Sequence, residues 1–160
     1  MQVKFKFKTT NTDGTLLYFG TKHSSDFLRV SLVDGYVRLA MAVTDASGYQ
    51  ETLEFDSFYS FADGKENEVL INIENDERDD CKMVVMTISG HQTDYNSERL
   101  YTLEYIKSNG ILYLGGDATQ NDSQNHNNGL DGCMAFVSVN DKAIRLIEDA
   151  KKTGALNRPC

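Results

Sequence analysis

DFLRVSLVDGYVRLAMAV, residues 26–43, sets two alternating apolar arms on either side of Asp34-Gly35. Leu28, Val30 and Leu32 share one parity of the first arm, Arg29 and Ser31 the other, and Val37, Leu39 and Met41 mark one face of the second. A period of two on both arms, joined by a dipeptide that tolerates positive φ, predicts a β-hairpin with one buried face. That face needs a second layer to cover it, so a packed β-sheet protein is expected. Asp26 stands at the open end of the hairpin, where a carboxylate serves either as a cation ligand or as an acceptor for loop N–H groups.

Outward from the hairpin the same grammar repeats. Val3, Phe5 and Phe7 alternate with Lys4, Lys6 and Lys8, which predicts a strand with one apolar face and one row of solvated lysines. Leu16-Leu17-Tyr18-Phe19 is apolar throughout and suits an interior strand covered on both sides. Further strands are expected at Thr52 to Phe55, at Val69, Ile71 and Ile73, at Met83 to Ile88, at Leu100 to Tyr105, at Ile111 to Leu114 and at Met134 to Val139. Ser89-Gly90-His91 closes one hairpin ahead of a polar stretch, and Asp63-Gly64-Lys65-Glu66-Asn67 is a turn. The acidic run at 74–80 lacks the glycine and oxygen spacing of a calcium loop and reads as a solvated turn. Residues 117–128 are almost wholly Asn, Asp, Gln, Ser and Thr, a long exposed loop that contains the glycosylation acceptor Asn121-Asp122-Ser123. Asn140-Asp141 reads as the cap of a short C-terminal helix carrying Ile144, Leu146, Ile147 and Ala150, stopped by Gly154. Many short strands without βαβ alternation select an all-β sandwich of two antiparallel sheets.

The whole chain, 160 residues with 40% apolar content, is read as one domain, 1–160. A net charge of -8 opposes approach to nucleic acid, and the absence of a long apolar run argues against direct membrane insertion. Cys81, Cys133 and Cys160 are odd in number and by themselves favour neither a disulfide framework nor a metal site. Cys160 could pair with Cys133 and tie the tail to the sheet, or all three could be buried thiols. No GxSxG motif is present, and His23, His91 and His126 are expected in polar loops and read as surface residues. Glu54 and Asp56 begin the paired-carboxylate pattern of a jelly-roll glycosidase, but Tyr59 stands where a further acid is needed, and tryptophan is absent.

Five segments in order resemble the laminin G-like, or LNS, domains, and within them the neurexin-type ectodomain repeats: Phe5-Lys6-Phe7-Lys8-Thr9-Thr10, Asp13-Gly14-Thr15-Leu16-Leu17-Tyr18, the hairpin itself, Leu112-Tyr113-Leu114-Gly115-Gly116, and Gly132-Cys133 through Gly154 to Cys160. The resemblance implies a jelly-roll-like, concanavalin-like sandwich and an extracellular or ectodomain setting within a larger adhesion or receptor protein. It also implies a Cys133–Cys160 disulfide, with Cys81 outside the pattern. It further implies a calcium site made by Asp26, the Val43 carbonyl, the Tyr105 carbonyl and a side-chain oxygen. Lys107 occupies that last position and repels a cation, so Ser108 or Asn109 would have to supply the oxygen. The family's Asp-Gly-x-Trp-His is replaced here by Asp63-Gly64-Lys65-Glu66-Asn67.

The expected function is that of a non-enzymatic module binding an extracellular or cell-surface protein through its loop rim, with calcium assisting. Asn121, Asn125, His126 and Asn128 are the candidate partner-binding loop, with Asn121 glycosylated. The alternatives are a glycan-binding module and a glycoside hydrolase using Glu54 and Asp56.

Overall fold

The computed structural model describes residues 1–20, 25–44, 47–75, 82–97, 110–116 and 129–145. Their strands are β1 (Gln2–Lys8), β2 (Gly14–Gly20), β3 (Phe27–Val33), β4 (Tyr36–Thr44), β5 (Gln50–Ser60), β6 (Asn67–Asn75), β7 (Lys82–Ile88), β8 (His91–Ser97), β9 (Ile111–Leu114), β10 (Cys133–Val139) and β11 (Lys142–Ile144). They form two antiparallel sheets, one ordered β11-β10-β1-β6-β7-β8 and the other β5-β4-β3-β2-β9. This is the sandwich the alternating patterns predict.

The hairpin at residues 26–43 is β3 and β4. Asp34 at φ 51° and Gly35 at φ 85° make the two-residue turn between the paired Val33 and Tyr36, a backbone twist that matches the twist of the strands it joins. Val30 lies opposite Leu39 and Leu28 opposite Met41, so each apolar parity falls on the inner face. Phe5, Phe7, Val69, Ile71, Val84 and Met86 meet them from the other sheet in one continuous buried cluster. β2 is buried along its whole length, as its unbroken apolar run predicts. Its outward-pointing Tyr18 is covered by Phe27 at 5.9 Å, by Tyr113 at 6.0 Å and by the Arg29 guanidinium at 5.7 Å.

Two expectations change. Asn140 and Asp141 do not cap a helix: with φ of 49° and 60° they form the turn between β10 and β11, and Ile144 pairs with Val137 as a strand residue. Leu146, Ile147 and Ala150 lie outside the described residues, as do the expected strand at Leu100 to Tyr105 and residues 76–80 of the acidic run at 74–80; no helix occurs among those described. The polar stretch after Gly90 is a strand, β8, at the edge of its sheet, where a seven-residue run can carry His91, Gln92, Asp94 and Asn96 because only one neighbour has to be paired.

β5 is also longer than its apolar core. Between Arg38 opposite Asp56 and Tyr36 opposite Ser60, the strand bulges, and buried Ser57 repairs the ladder. Its hydroxyl accepts the Val37 N–H at 2.9 Å and donates to the Tyr59 carbonyl at 2.8 Å. A second bulge lies in β10, where Phe136 and Val137 together oppose Phe5. It switches the parity of the strand, keeping Met134 and Val137 buried while Phe136 turns outward.

Candidate functional site

Three chain segments root at one end of the five-stranded sheet. Gly20 pairs with Phe27 on one side and with Ile111 on the other, so β2 ends, and β3 and β9 begin, at the level of Asp26. Thr44 ends β4 at the same level and opens the connection to β5. Gln50 ties this end together by donating to the Ser25 hydroxyl at 2.6 Å.

Asp26 is buried, with 4% of its surface exposed. Its Oδ1 accepts the Thr44 N–H at 2.9 Å and the Thr44 hydroxyl at 2.6 Å. Counting rungs from Val33 and Tyr36, Asp26 stands opposite Val43 at a level where neither main chain bonds across to the other. The Val43 carbonyl therefore faces β5, where Val43 pairs with Glu51, and the next N–H, that of Thr44, faces back to β3. Asp26 and Val43 thus share one rung, and the contact across the hairpin end runs from Thr44 to Asp26. Thr44 was missed; a hydroxyl-bearing residue one step past the rung opposite a strand-entry aspartate was the signal for it. Tyr105, Lys107, Ser108 and Asn109 lie outside the described residues, and among those described no three His, Cys, Asp or Glu side chains gather as a metal would require.

The candidate loop roots elsewhere. Asn121, Asn125, His126 and Asn128 lie outside the described residues, but the ends of their segment are fixed: the Gly115 N–H donates to the Leu16 carbonyl at 2.9 Å, the Leu130 N–H to the Gly115 carbonyl at 3.1 Å, and Thr15 bridges to Gly129. These contacts sit at the Asp34-Gly35 end, where the Gly35 N–H donates to the Thr12 carbonyl at 2.8 Å. A seven-residue strand, roughly 20 Å of chain, separates that end from Asp26. The rim that sequence reading treated as one surface is two.

Glu54 and Asp56 lie on the outer face of β5 under a single cation. Arg38 forks onto Asp56 with Nε at 2.7 Å and a terminal nitrogen at 2.9 Å, and its other terminal nitrogen reaches Glu54 at 3.1 Å. The Arg38 hydrogen bonds hold the Asp56 carboxyl below its ordinary pKa. A glycosidase acid has to be shifted the other way to carry a proton at working pH, so Asp56 is not set for that role. His91 is not in a loop: its ring packs against Tyr59 at 4.7 Å where the edge strands β5 and β8 meet. His23 lies outside the described residues, with Cys81 and Cys160.

The turn that replaces Asp-Gly-x-Trp-His is held by polar contacts. Buried Asn67 donates to the Phe61 carbonyl at 3.2 Å and to Asp63 at 3.3 Å, and accepts the Ser89 hydroxyl at 3.0 Å. Asp63 also caps the Lys65 N–H at 3.0 Å, a bond that lowers its pKa.

Two antiparallel sheets closed over one apolar core define a jelly-roll-type sandwich. The chain belongs to the laminin G domain family, whose model matches residues 7–142. Neurexin-2 of Mus musculus and Neurexin-2 of Homo sapiens are each 29% identical to it over 167 residues, which take in all of this chain. The chain spans 9% of the length of these curated relatives. Among solved structures, the LG1-3 region of the laminin alpha2 chain superposes with a TM-score of 0.65 at 20% identity, covering 89% of this chain and 27% of that one. Domains LG4-5 of the mouse laminin alpha1 chain give 0.62 at 18% identity, covering 89% and 36%. At these identities the structural likeness is one of fold.

Proposed function

We propose that this domain is an extracellular recognition module that binds a partner protein through the end of the sandwich carrying Asp26. The observation behind this reading is the common root of the segments at 21–24, after Thr44 and before Gly110 on a rigid sheet. Connecting segments gathered at one end of a stiff scaffold are where binding residues concentrate. A pull-down from cell-surface extract with the wild-type chain, and with residues 21–24 replaced by glycine and serine, tests it. Capture of a partner by the wild type that is lost in the replacement supports the reading; capture equal in both rejects it.

Calcium at that end is the second part of the proposal. What favours it is the resemblance to domains that use an aspartate at the Asp26 position, together with the start of β9 at the same end of the sheet as that aspartate. The Thr44 bonds on Oδ1, the direction of the Val43 carbonyl and the charge of Lys107 all work against tight binding. Calorimetric titration of the wild type against Asp26→Ala decides, and no heat from the wild type at millimolar calcium rejects the site. A Cys133–Cys160 disulfide belongs to the same extracellular reading. Mass spectrometry after alkylation, with and without reductant, tests it: both thiols alkylating without reductant removes it.

A further inference from the structure

The wet face of the six-stranded sheet carries a feature that the end-of-sandwich reading does not use. Phe136 is 58% exposed and stands in the β10 bulge at φ 51°, a left-handed backbone that a bulky side chain adopts only under strain. Strain of this kind persists where the surrounding structure holds it, and it concentrates at sites that contact ligands. A bulged residue without a side chain would pass through the same turn at no cost, yet the position holds a large aromatic ring pointed at solvent.

The ring forms one wall of a shallow cleft of about 440 Å³, lined also by Lys4, Lys6, Glu66, Glu68 and Ala135. Lys4 Nζ lies 5.6 Å from the ring centroid and is anchored on Glu68 at 3.2 Å, so the ring is steadied from one side. Lys6 is paired with Glu66 at 2.8 Å, which raises its pKa and keeps it charged. The floor is therefore two lysines against two glutamates, without net charge, in which ammonium donors and carboxylate acceptors lie side by side.

We propose that this cleft binds a neutral pyranose sugar, its C–H face stacked on Phe136 and its hydroxyls hydrogen-bonded by the Lys4–Glu68 and Lys6–Glu66 pairs. The ring face carries the negative end of the aromatic quadrupole and attracts weakly positive C–H groups. A hydroxyl both donates and accepts, so adjoining ammonium and carboxylate groups suit it better than they suit a phosphate, a sulfate or an apolar side chain. A sulfated or phosphorylated ligand would need a surplus of cations, and the balanced floor within a chain of net charge -8 supplies none.

The test is a titration of the full chain, with phenylalanine rings carbon-13 labelled, against the methyl glycosides of glucose, galactose and N-acetylglucosamine, and against a sulfated disaccharide. Saturable shifts of the Phe136 ring signals with at least one neutral glycoside, and none with the sulfated one, are expected. Phe136→Gly should weaken the interaction by about tenfold or more while melting no lower than the wild type, and Phe136→Tyr should retain it. Silence of the ring with every neutral glycoside, preference for the sulfated sugar, or binding that survives in Phe136→Gly overturns the proposal. A lower melting point in Phe136→Gly also overturns it, since the ring would then serve stability. The end carrying Asp26 takes no part in these measurements, so their outcome leaves the protein-partner reading to its own test.

Discussion

One oxygen of Asp26 does the work of a main-chain carbonyl: it receives the Thr44 N–H where β3 runs out of backbone acceptors, and it takes the Thr44 hydroxyl as well. Removing it leaves a donor and a hydroxyl without their acceptor at a partly buried position, which costs about 1–3 kcal/mol. Asp26→Ala should therefore lower stability in urea denaturation by about that amount, whereas Asp26→Asn, which keeps Oδ1, should stay within about 1 kcal/mol of the wild type. Equal losses in both would show that the negative charge, rather than the acceptor, is what the site needs. The sequence made Asp26 legible as a position of interest and left its role open between ligand and acceptor, because the deciding partner, Thr44, is eighteen residues away and is brought back only by the hairpin register. The Arg38 fork was hidden for the same reason: arginine and carboxylates on neighbouring strands reveal their pairing only once Arg38 is known to face Asp56.

Among the elements, the hairpins show where local sequence suffices and where it misleads. Asp34-Gly35 and Ser89-Gly90 have a glycine in the second turn position, and both were readable as turns. Asn140-Asp141 has the same backbone without the glycine, and those two residue types are equally good helix caps, so the local signal was ambiguous. Asp141 at φ 60° should be better served by glycine. Asp141→Gly is expected to raise the melting stability by up to about 1 kcal/mol, checked by thermal unfolding followed by circular dichroism. A fall would show that the Asp141 side chain holds the turn. The β10 bulge was likewise illegible, since an inserted residue looks like a broken alternation until the opposing Lys4 and Lys6 fix the register. β8 carries too little apolar signal to be distinguished from a loop, yet pairing with β7 alone is enough to make it a strand.

For the whole molecule, the two-sheet plan follows from alternation repeated along the chain, and that part was read directly. The placement of the loops was not, because which end a loop occupies depends on the direction of every strand between. Acid should expose one property of the assembled surface. The Arg38 hydrogen bonds and the Lys65 N–H hold Asp56 and Asp63 below the ordinary carboxylate range, so these groups are still ionised in the fold where the unfolded chain has begun to take up protons. Their contribution is present above about pH 4 and is lost as pH falls through the folded-state values. Melting temperature should decline below that pH, and Arg38→Met should make the decline shallower. An identical slope in the variant would assign acid sensitivity to other carboxylates. The effect is modest and fades with added salt, because both carboxylates are partly exposed.

β1 lies between β6 and β10, and Val3 pairs with Ile71 on one side and Val139 on the other. During synthesis from the N-terminus, its second edge waits on the order of seconds for β10 to be made. Through that interval a strand bearing Val3, Phe5 and Phe7 is available to any other extended chain, and pairing across most of the sequence makes its burial a late event. Lys4, Lys6 and Lys8 alternate with those side chains along the exposed edge, so the row that later floors a cleft first guards a half-made sheet against aggregation.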